Sequence, residues 1–361
     1  MANRHRTDKN TKRRTLIVPV FLPQRGCSHQ CAFCNQITIT GIRPERPLTE
    51  ELRFQAERFL KYQKHRPARI QLAIFGGNFL GLPQDDIKAL LAQATDLLKT
   101  WPGSGIRFST RPDTITADQL ELIREFPVQT VEIGVQSMND DVLARTKRGH
   151  IAYDTVKAMA LLKQSSYEIG VQMMTGLPAD TPAGALETGR RIVALAPAFI
   201  RIYPVLVLKN SPLAEQFQNG QYTPPSLEES VTLVKQLWRL FNQSKIPVIR
   251  MGLQVSETLI RKGEIIAGPF HPSFGHLVYE ALFFDKAAAA IKSALLTPQS
   301  IGDTIVLSVH PRDISKMRGL NNRNIQCFKQ KFKVADVKVM PDAGLPQNSV
   351  VLRKTIMTEV G

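Results

Sequence analysis

Cys27, Cys31 and Cys34 stand on one short stretch, Gly-Cys-Ser-His-Gln-Cys-Ala-Phe-Cys-Asn, residues 26–35. At this Cys-x-x-x-Cys-x-x-Cys spacing three thiolates can serve one metal centre. Iron–sulfur cubanes are normally held by four thiolates. Three from a single loop would leave one iron without a protein ligand, and an open coordination position is where a catalytic metal takes up a small molecule. A zinc site of Cys27, Cys31, Cys34 and His29 is the alternative, because Cys3His sets are common for zinc. No second ligand pair stands at the usual distance, however, and His29 lies inside the loop. A disulfide framework is a poor match for 4 cysteines in 361 residues, since small disulfide scaffolds are far denser in cysteine and cytosolic thiols stay reduced.

Further along the chain, polar residues follow short apolar runs. Phe75-Gly76-Gly77-Asn78-Phe79 carries a glycine pair, which lets backbone approach a ligand where a side chain would clash. Ser109-Thr110-Arg111-Pro112-Asp113 and Val131-Glu132-Ile133-Gly134-Val135-Gln136-Ser137 end two apolar runs. Helix capping would explain the Ser, Thr and Asp residues there, whereas Arg111 and Gln136 are better read as ligand contacts. A buried Glu132 needs a partner. It either faces the core beside a ligand or pairs with Arg111. Arg148-Gly149-His150 and Gln172-Met173-Met174-Thr175-Gly176-Leu177-Pro178 come next, with Met173 and Met174 read as packing. Tyr203 and Lys209 are candidates to face a substrate, and Arg250 is a comparable case. His271 and His276 are five apart, off the helical metal-binding spacing. Cys327 stands alone and reads as a buried apolar thiol.

The elements that must position these residues alternate. Apolar strands are expected at 15–20, 69–75, 105–109, 130–135, 167–173, 198–206 and 246–251, and amphipathic helices at 49–63, 84–99, 117–125, 139–146, 153–165, 181–195 and 227–243. Strands separated by helices imply right-handed βαβ units and a parallel sheet. Six or so units suit an α/β fold of the partial TIM-barrel type, (β/α)6, with active groups on the loops after the strands. The cysteine loop follows the first strand, as that arrangement requires. From about residue 265 the pattern changes. A long helix at 274–297, a strand at 303–308, a helix at 321–332 and strands at 335–340 and 349–353 make a small α+β region. The expected organisation is a disordered basic tail at 1–14, a barrel at 15–264 and a C-terminal region at 265–361.

The formal net charge is +16. Residues 1–14 hold Arg4, Arg6, Lys9, Lys12, Arg13 and Arg14 against Asp8. Residues 301–361 are similarly cationic, with Arg312, Lys316, Arg318, Arg323, Lys329, Lys331 and Lys333 among their basic side chains. Positive charge concentrated at both ends favours a polyanionic partner such as RNA. No apolar stretch follows the basic start as in a secretory signal. No run of about 18 apolar residues exists to span a membrane, so a cytoplasmic location is expected.

The cysteine spacing, with an aromatic before the last cysteine, resembles the signature of the radical S-adenosylmethionine (SAM) enzymes. That resemblance implies a 4Fe–4S cluster on Cys27, Cys31 and Cys34, whose open iron chelates the amino and carboxylate groups of SAM. It also implies SAM contacts from Gly76, Gly77, Gln136 and Arg148, with Asn78, Arg111 and Gln172 as further cofactor-binding candidates. Many members have Glu where this chain has Asn78. Phe-Gly-Gly-Asn-Phe-x-Gly-Leu, Ser-Thr-Arg-Pro-Asp, Val-Glu-Ile-Gly-Val-Gln-Ser, Lys-Arg-Gly-His and Ile-Tyr-Pro-Val-Leu-Val narrow the match. Over residues 15–275 the chain resembles the radical SAM half of the Elongator catalytic subunit family, whose members use SAM and acetyl-CoA to modify wobble uridine in tRNA. The porphyrinogen oxidases have a Glu-Ala-Asn-Pro-like stretch in place of Ser-Thr-Arg-Pro-Asp. The last hundred residues do not match that family's acetyltransferase domain. The resemblance therefore implies a tRNA-modifying radical SAM enzyme with an electron donor and a separate acyltransferase as partners. A small-molecule substrate, as in coproporphyrinogen oxidases, and a non-catalytic iron–sulfur RNA-binding protein are the alternatives.

Overall fold

A computed structural model of the chain describes residues 15–43, 45–63, 67–254, 256–295 and 304–356. The basic tail expected at 1–14 lies outside them. The main sheet contains β1 (Leu16–Phe21), β2 (Ile70–Phe75), β3 (Gly105–Thr110), β4 (Val128–Gln136), β5 (Glu168–Thr175), β6 (Phe199–Pro204) and, after the two-residue β7 (Val207–Leu208), β8 (Val248–Met251). Its order is β1-β2-β3-β4-β5-β6-β8, parallel throughout. Strands laid down in chain order, with helices between, form the arc of a barrel whose edges are β1 and β8. The seventh strand carries that arc one unit beyond the expected (β/α)6.

The helices are α1 (Gln36–Thr40) and α2 (Leu48–Lys61) after β1, α3 (Gln84–Leu98) after β2, α4 (Ala117–Ile123) after β3, and α5 (Asp140–Arg145) and α6 (Ala152–Leu162) after β4. Then come α7 (Pro182–Ala194) after β5, and α8 (Pro212–Gln218) and α9 (Leu227–Gln243) after β7. Their apolar positions recur at helical spacing. Ile87, Leu90, Leu91, Ala94 and Leu98 of α3 all lie on the buried face. Local chemistry fixes where helices start. Thr116 caps α4, Thr181 caps α7 with Pro182 behind it, and Ser226 and Glu229 form a reciprocal capping box on α9, each satisfying amides that the helix cannot.

Alternation along the strands sorts side chains by face. Val18, Val20, Leu72, Ile74, Ile106, Phe108, Val131, Ile133, Ile200 and Ile202 point outward into the main hydrophobic core under the helices. The opposite set points into the concave interior, and there it is polar: Arg107, Glu132 and Arg201.

Beyond β8, β9 (Ile265–Ala267) pairs antiparallel with β7. The long α10 (Phe274–Leu295) follows, then β10 (Thr304–Val309), α11 (Ile314–Arg318), α12 (Arg323–Phe332), β11 (Asp336–Pro341) and β12 (Val350–Ile356), a sheet of order β11-β10-β12. Phe274, Val278 and Leu282 of α10 belong to the barrel core, while Phe283, Ala287, Ala288 and Ile291 belong to the C-terminal core. One helix thus serves both hydrophobic clusters. Phe328 of α12 stacks on Phe284 at 4.7 Å. Cys327, expected to be buried, is only half-buried, because Phe328 takes the inward position on α12.

Candidate cluster and cofactor site

The cysteine loop leaves β1 at its C-terminal end and folds over the ends of β2 and β3. Asn78 holds it there. This side chain is 1 % exposed. Its Nδ2 donates to Gly26 O at 3.0 Å. Its Oδ1 accepts from Thr110 Oγ1 at 2.8 Å, Arg111 N at 2.9 Å and Thr114 Oγ1 at 2.9 Å. One amide therefore ties together the cysteine loop, the glycine turn after β2 and the end of β3. Asn78 is engaged by protein on both ends, which gives it a positioning duty for the cysteine loop.

The glycines make this packing possible. Gly26 has φ +71°, and a Cβ there would run into the carbonyl oxygen of Asn78 and lie 2.9 Å from Leu82 N. A Cβ on Gly77 would strike Arg25 O and lie 2.9 Å from Leu22 O. Backbone passes backbone at this point, and only glycine permits it. Gly76 stands beside Leu22 and Pro23 in the same turn.

Arg148 reaches the loop from the other side. Lys147 (φ +51°) and Gly149 (φ +75°) turn the chain after α5, and Arg148 is buried at 8 % exposure. Its Nη1 lies 3.3 Å from Cys31 Sγ, and its Nη2 donates to Gly134 O at 2.7 Å. Gln136, also expected here, ends β4 with φ +67° at a break in the β4–β5 register between Gly134 and Gln136. Such irregularities re-aim a side chain. Arg111 is buried and forks onto Asp113, Nε to Oδ1 at 2.9 Å and Nη2 to Oδ2 at 2.8 Å. Glu132 is therefore not its partner. Glu132 binds Arg107 at 2.6 Å and Arg201 at 2.9 Å, because the β3–β4 register sets Glu132 beside Ser109 and so puts Arg107 on the same face.

Gln172 is half-buried on β5, in register with Gly134 and Arg201. Tyr203 is buried on β6, beside Arg201, Arg250 and Glu132. Lys209 is exposed, and Asn35 Nδ2 donates to its carbonyl at 2.7 Å, which places it on the rim next to the cysteine loop. Sequence reasoning passed over His150. Both its ring nitrogens are buried without a hydrogen-bond partner among the described residues, and burial together with Arg148 pulls its pKa down to about 4. The imidazole is neutral at pH 7.

Two observations bear on what this site would hold. Burial raises the Cys27 thiol, and burial with the neighbouring Cys31 and Cys27 pushes Cys34 up to about 12. Three thiols near enough to oppose one another's ionisation are ready for a centre that replaces protons with positive metal. Among the described residues, no set of three His, Cys, Asp or Glu side chains converges on a single ion. Zn–S bonds of about 2.3 Å draw tetrahedral thiolates to within about 4 Å of one another, whereas a cubane gives each cysteine its own iron and keeps the sulfurs farther apart. Three thiols on one loop fit a cluster that takes one thiolate per iron. Gln136 Oε1, Arg148 Nε and Arg111 Nη1 are buried without hydrogen-bond partners among the described residues. One acceptor and two cationic donors match the amino and carboxylate ends of an amino acid.

Comparison with known proteins gives the same answer independently. The radical SAM superfamily matches residues 21–192, and the radical SAM C-terminal domain matches residues 197–283. A tRNA uridine(34) acetyltransferase of Dehalococcoides mccartyi is 25 % identical over 239 residues, covering 57 % of this chain and 52 % of that protein. Elongator complex protein 3 of Saccharomyces cerevisiae is 26 % identical over 224 residues, covering 56 % and 40 %. The chain thus spans about half the length, or less, of these relatives. An archaeal Elp3 from Methanocaldococcus infernus shares the fold with a TM-score of 0.58 at 22 % identity, covering 74 % of this chain and 62 % of that one. Among the described residues no helix is long and apolar enough to cross a membrane. The geometry and the family matches lead to one conclusion: this chain belongs to the radical SAM superfamily, is an enzyme of the 4Fe–4S and SAM type, and resembles the radical SAM domain of the Elongator catalytic subunit family.

Proposed function

We propose that this protein cleaves SAM to a 5′-deoxyadenosyl radical and directs it to tRNA, at a uridine of the wobble type, in the cytoplasm. The observation that carries the reading is the Asn78 clasp. It holds the cysteine loop against the Gly76–Gly77 turn at the C-terminal ends of β1 to β3, with orphaned polar atoms of Gln136, Arg148 and Arg111 alongside. The net charge of +16 and the tRNA-modifying names of the relatives support RNA as the partner.

In this mechanism Cys27, Cys31 and Cys34 hold the cluster as thiolates. Arg148 favours that ionised state at Cys27 and Cys34 by opposing the effect of burial, since a neighbouring guanidinium lowers the cost of a thiolate. The bound cluster supplies the electron that splits the sulfonium of SAM. The Gly76–Gly77 turn presents its backbone to the ligand's amino end. Gln136 accepts from its amino group, and Arg148 and Arg111 donate to its carboxylate. Gln172, Tyr203 and Lys209 lie on the path from there along β5 and β6 to the substrate. An electron donor and, for any acyl step, a separate acyltransferase would be the partners. The protein's own work is positioning and exclusion of water; the cofactor does the radical chemistry.

Anaerobic reconstitution followed by assay for 5′-deoxyadenosine tests the radical step. Mass spectrometry of tRNA from cells with and without the protein tests the substrate. Affinity for tRNA falls with rising salt if lysines and arginines displace counterions. A flat dependence removes the RNA part.

A further inference from the structure

The concave interior of the barrel carries a charged group that the cluster site does not use. Arg201 on β6 and Arg250 on β8 are register partners. Same-face neighbours on adjacent strands stand about 5 Å apart, and like charges there repel. The nearest carboxylate is already shared: Glu132 Oε1 lies 2.9 Å from Arg201 Nη2 and 2.6 Å from Arg107 Nε. Glu132 also feels Arg250, so three guanidiniums act on one carboxyl that burial otherwise pushes up. Glu168 adds a second carboxylate, but it lies two residues nearer the start of β5 than Gly170, the register partner of Glu132, and it is occupied by Thr130 Oγ1 at 2.9 Å. The uncompensated positive charge therefore sits towards the C-terminal ends of β6 and β8, on the side of the cysteine loop.

The hydrogen-bonding capacity there is not used up. Arg201 lies over the Phe75 ring at 5.0 Å, and its Nε is buried with no hydrogen-bond partner among the described residues. Arg250 donates only Nη1, to Gln254 Oε1 at 2.8 Å. Tyr203, two residues beyond Arg201 on the same face, is 8 % exposed, and both arginines act on its hydroxyl. Arg250, Gln254 and Tyr279 line a cavity of about 460 Å3 at β8, so the Arg250 end of the group is reachable from solvent. An isolated excess of charge in a concave, partly dry site is costly until an anion fills it, and two guanidiniums with a hydroxyl are a fitting host for a multi-oxygen anion.

We propose that Arg201, Arg250 and Tyr203 form a subsite inside the barrel for a phosphate group of the substrate nucleotide. The inference rests on the nucleic-acid reading for the bearer of the phosphate, but not for the subsite itself. Arg201 anchors the subsite and is held by Glu132. Arg250, half-exposed, is the movable half of the clamp.

The test uses the full-length, anaerobically reconstituted protein at low salt. Inorganic phosphate, uridine 5′-monophosphate and uridine are titrated by calorimetry and by the shift in unfolding midpoint. The wild type is expected to bind the monophosphate and phosphate but not uridine. Arg250→Gln is expected to weaken the monophosphate about 10- to 100-fold, the loss of one charge-assisted contact. Tyr203→Phe serves as a second, milder variant with a smaller loss. Equal binding by wild type and Arg250→Gln, or no binding of either anion by the wild type, overturns the subsite. Phosphate bound without the monophosphate keeps the subsite and overturns its nucleotide bearer. Arg250-dependent binding in a protein whose absence leaves cellular tRNA unchanged keeps the subsite and removes the tRNA reading instead.

Discussion

Replacing Asn78 by Ala would separate the positioning of the cysteine loop from the ligation itself. Four hydrogen bonds end on this amide. Two partners have other recourse: Thr114 Oγ1 also bonds Arg111 O at 3.0 Å, and Thr110 Oγ1 lies 3.1 Å from Thr114 Oγ1. The other two, Arg111 N and Gly26 O, are left with no alternative. Orphaning a buried polar group costs about 1–3 kcal/mol, so Asn78→Ala should destabilise the fold by about 2–4 kcal/mol. Asn78→Asp keeps an acceptor oxygen for the three bonds but sets its second oxygen against Gly26 O and buries a carboxyl group. It should cost at least as much in stability and also free the loop. Urea unfolding of the metal-free chain reads the first effect, and iron and sulfide stoichiometry after anaerobic reconstitution reads the second. Both variants should load less cluster than wild type. A stability change under about 1 kcal/mol for Asn78→Ala, or full cluster loading in both variants, would refute the clasp.

Gly26→Ala should also fail to load cluster, since the new Cβ meets the Asn78 carbonyl and the φ of +71° is strained for alanine; normal loading would show that the loop can move aside. Removing the shared carboxylate in Glu132→Ala leaves Arg107 and Arg201 buried together and should cost about 3–5 kcal/mol in urea unfolding, a prediction that fails if the variant is as stable as wild type. Burial pushes the Asp180 carboxyl up to about 6, with only the Thr181 amide opposing it. Its folded pKa lies above its unfolded one, so folding favours the protonated form, and this contribution is lost as pH rises through about 6. Asp180→Asn should therefore stabilise the protein by about 1–2 kcal/mol at pH 7.5, with the gain fading towards pH 4. A gain independent of pH would assign the effect to something other than charge.

Much of this architecture could be read directly from the chain because strands and helices announce themselves by period. The alternation placed the strand from 246 to 251 and the βα order around it, and the cysteine spacing placed the loop on the rim. What escaped were properties of register and of turns. Glu132 was expected beside a ligand or paired with Arg111, but Arg111 lies past the end of β3 and is taken by Asp113, which leaves Glu132 to Arg107 and Arg201. Arg148 was read as a cofactor contact by resemblance alone, and the left-handed residues on either side that turn it inward do not show in the sequence pattern. Asn78 resembled a ligand in sequence order, because its partners at 26, 110 and 114 become neighbours only in the fold. Inward orientation on β6 was foreseeable, but the charge excess it creates depends on Arg250 arriving opposite Arg201 past a bulge.

The helix α10 has a mechanical meaning. Its 22 residues make a rod of about 33 Å, clamped at one end by the barrel and at the other by the C-terminal sheet. A load placed on the small sheet, such as a docked polyanion, is transmitted along that rod to Phe274 and Gly275, which pack against Gly252 and Met251 at the end of β8. The two units should melt in one step, and no protease cut in the 264–273 connection should release a stable fragment.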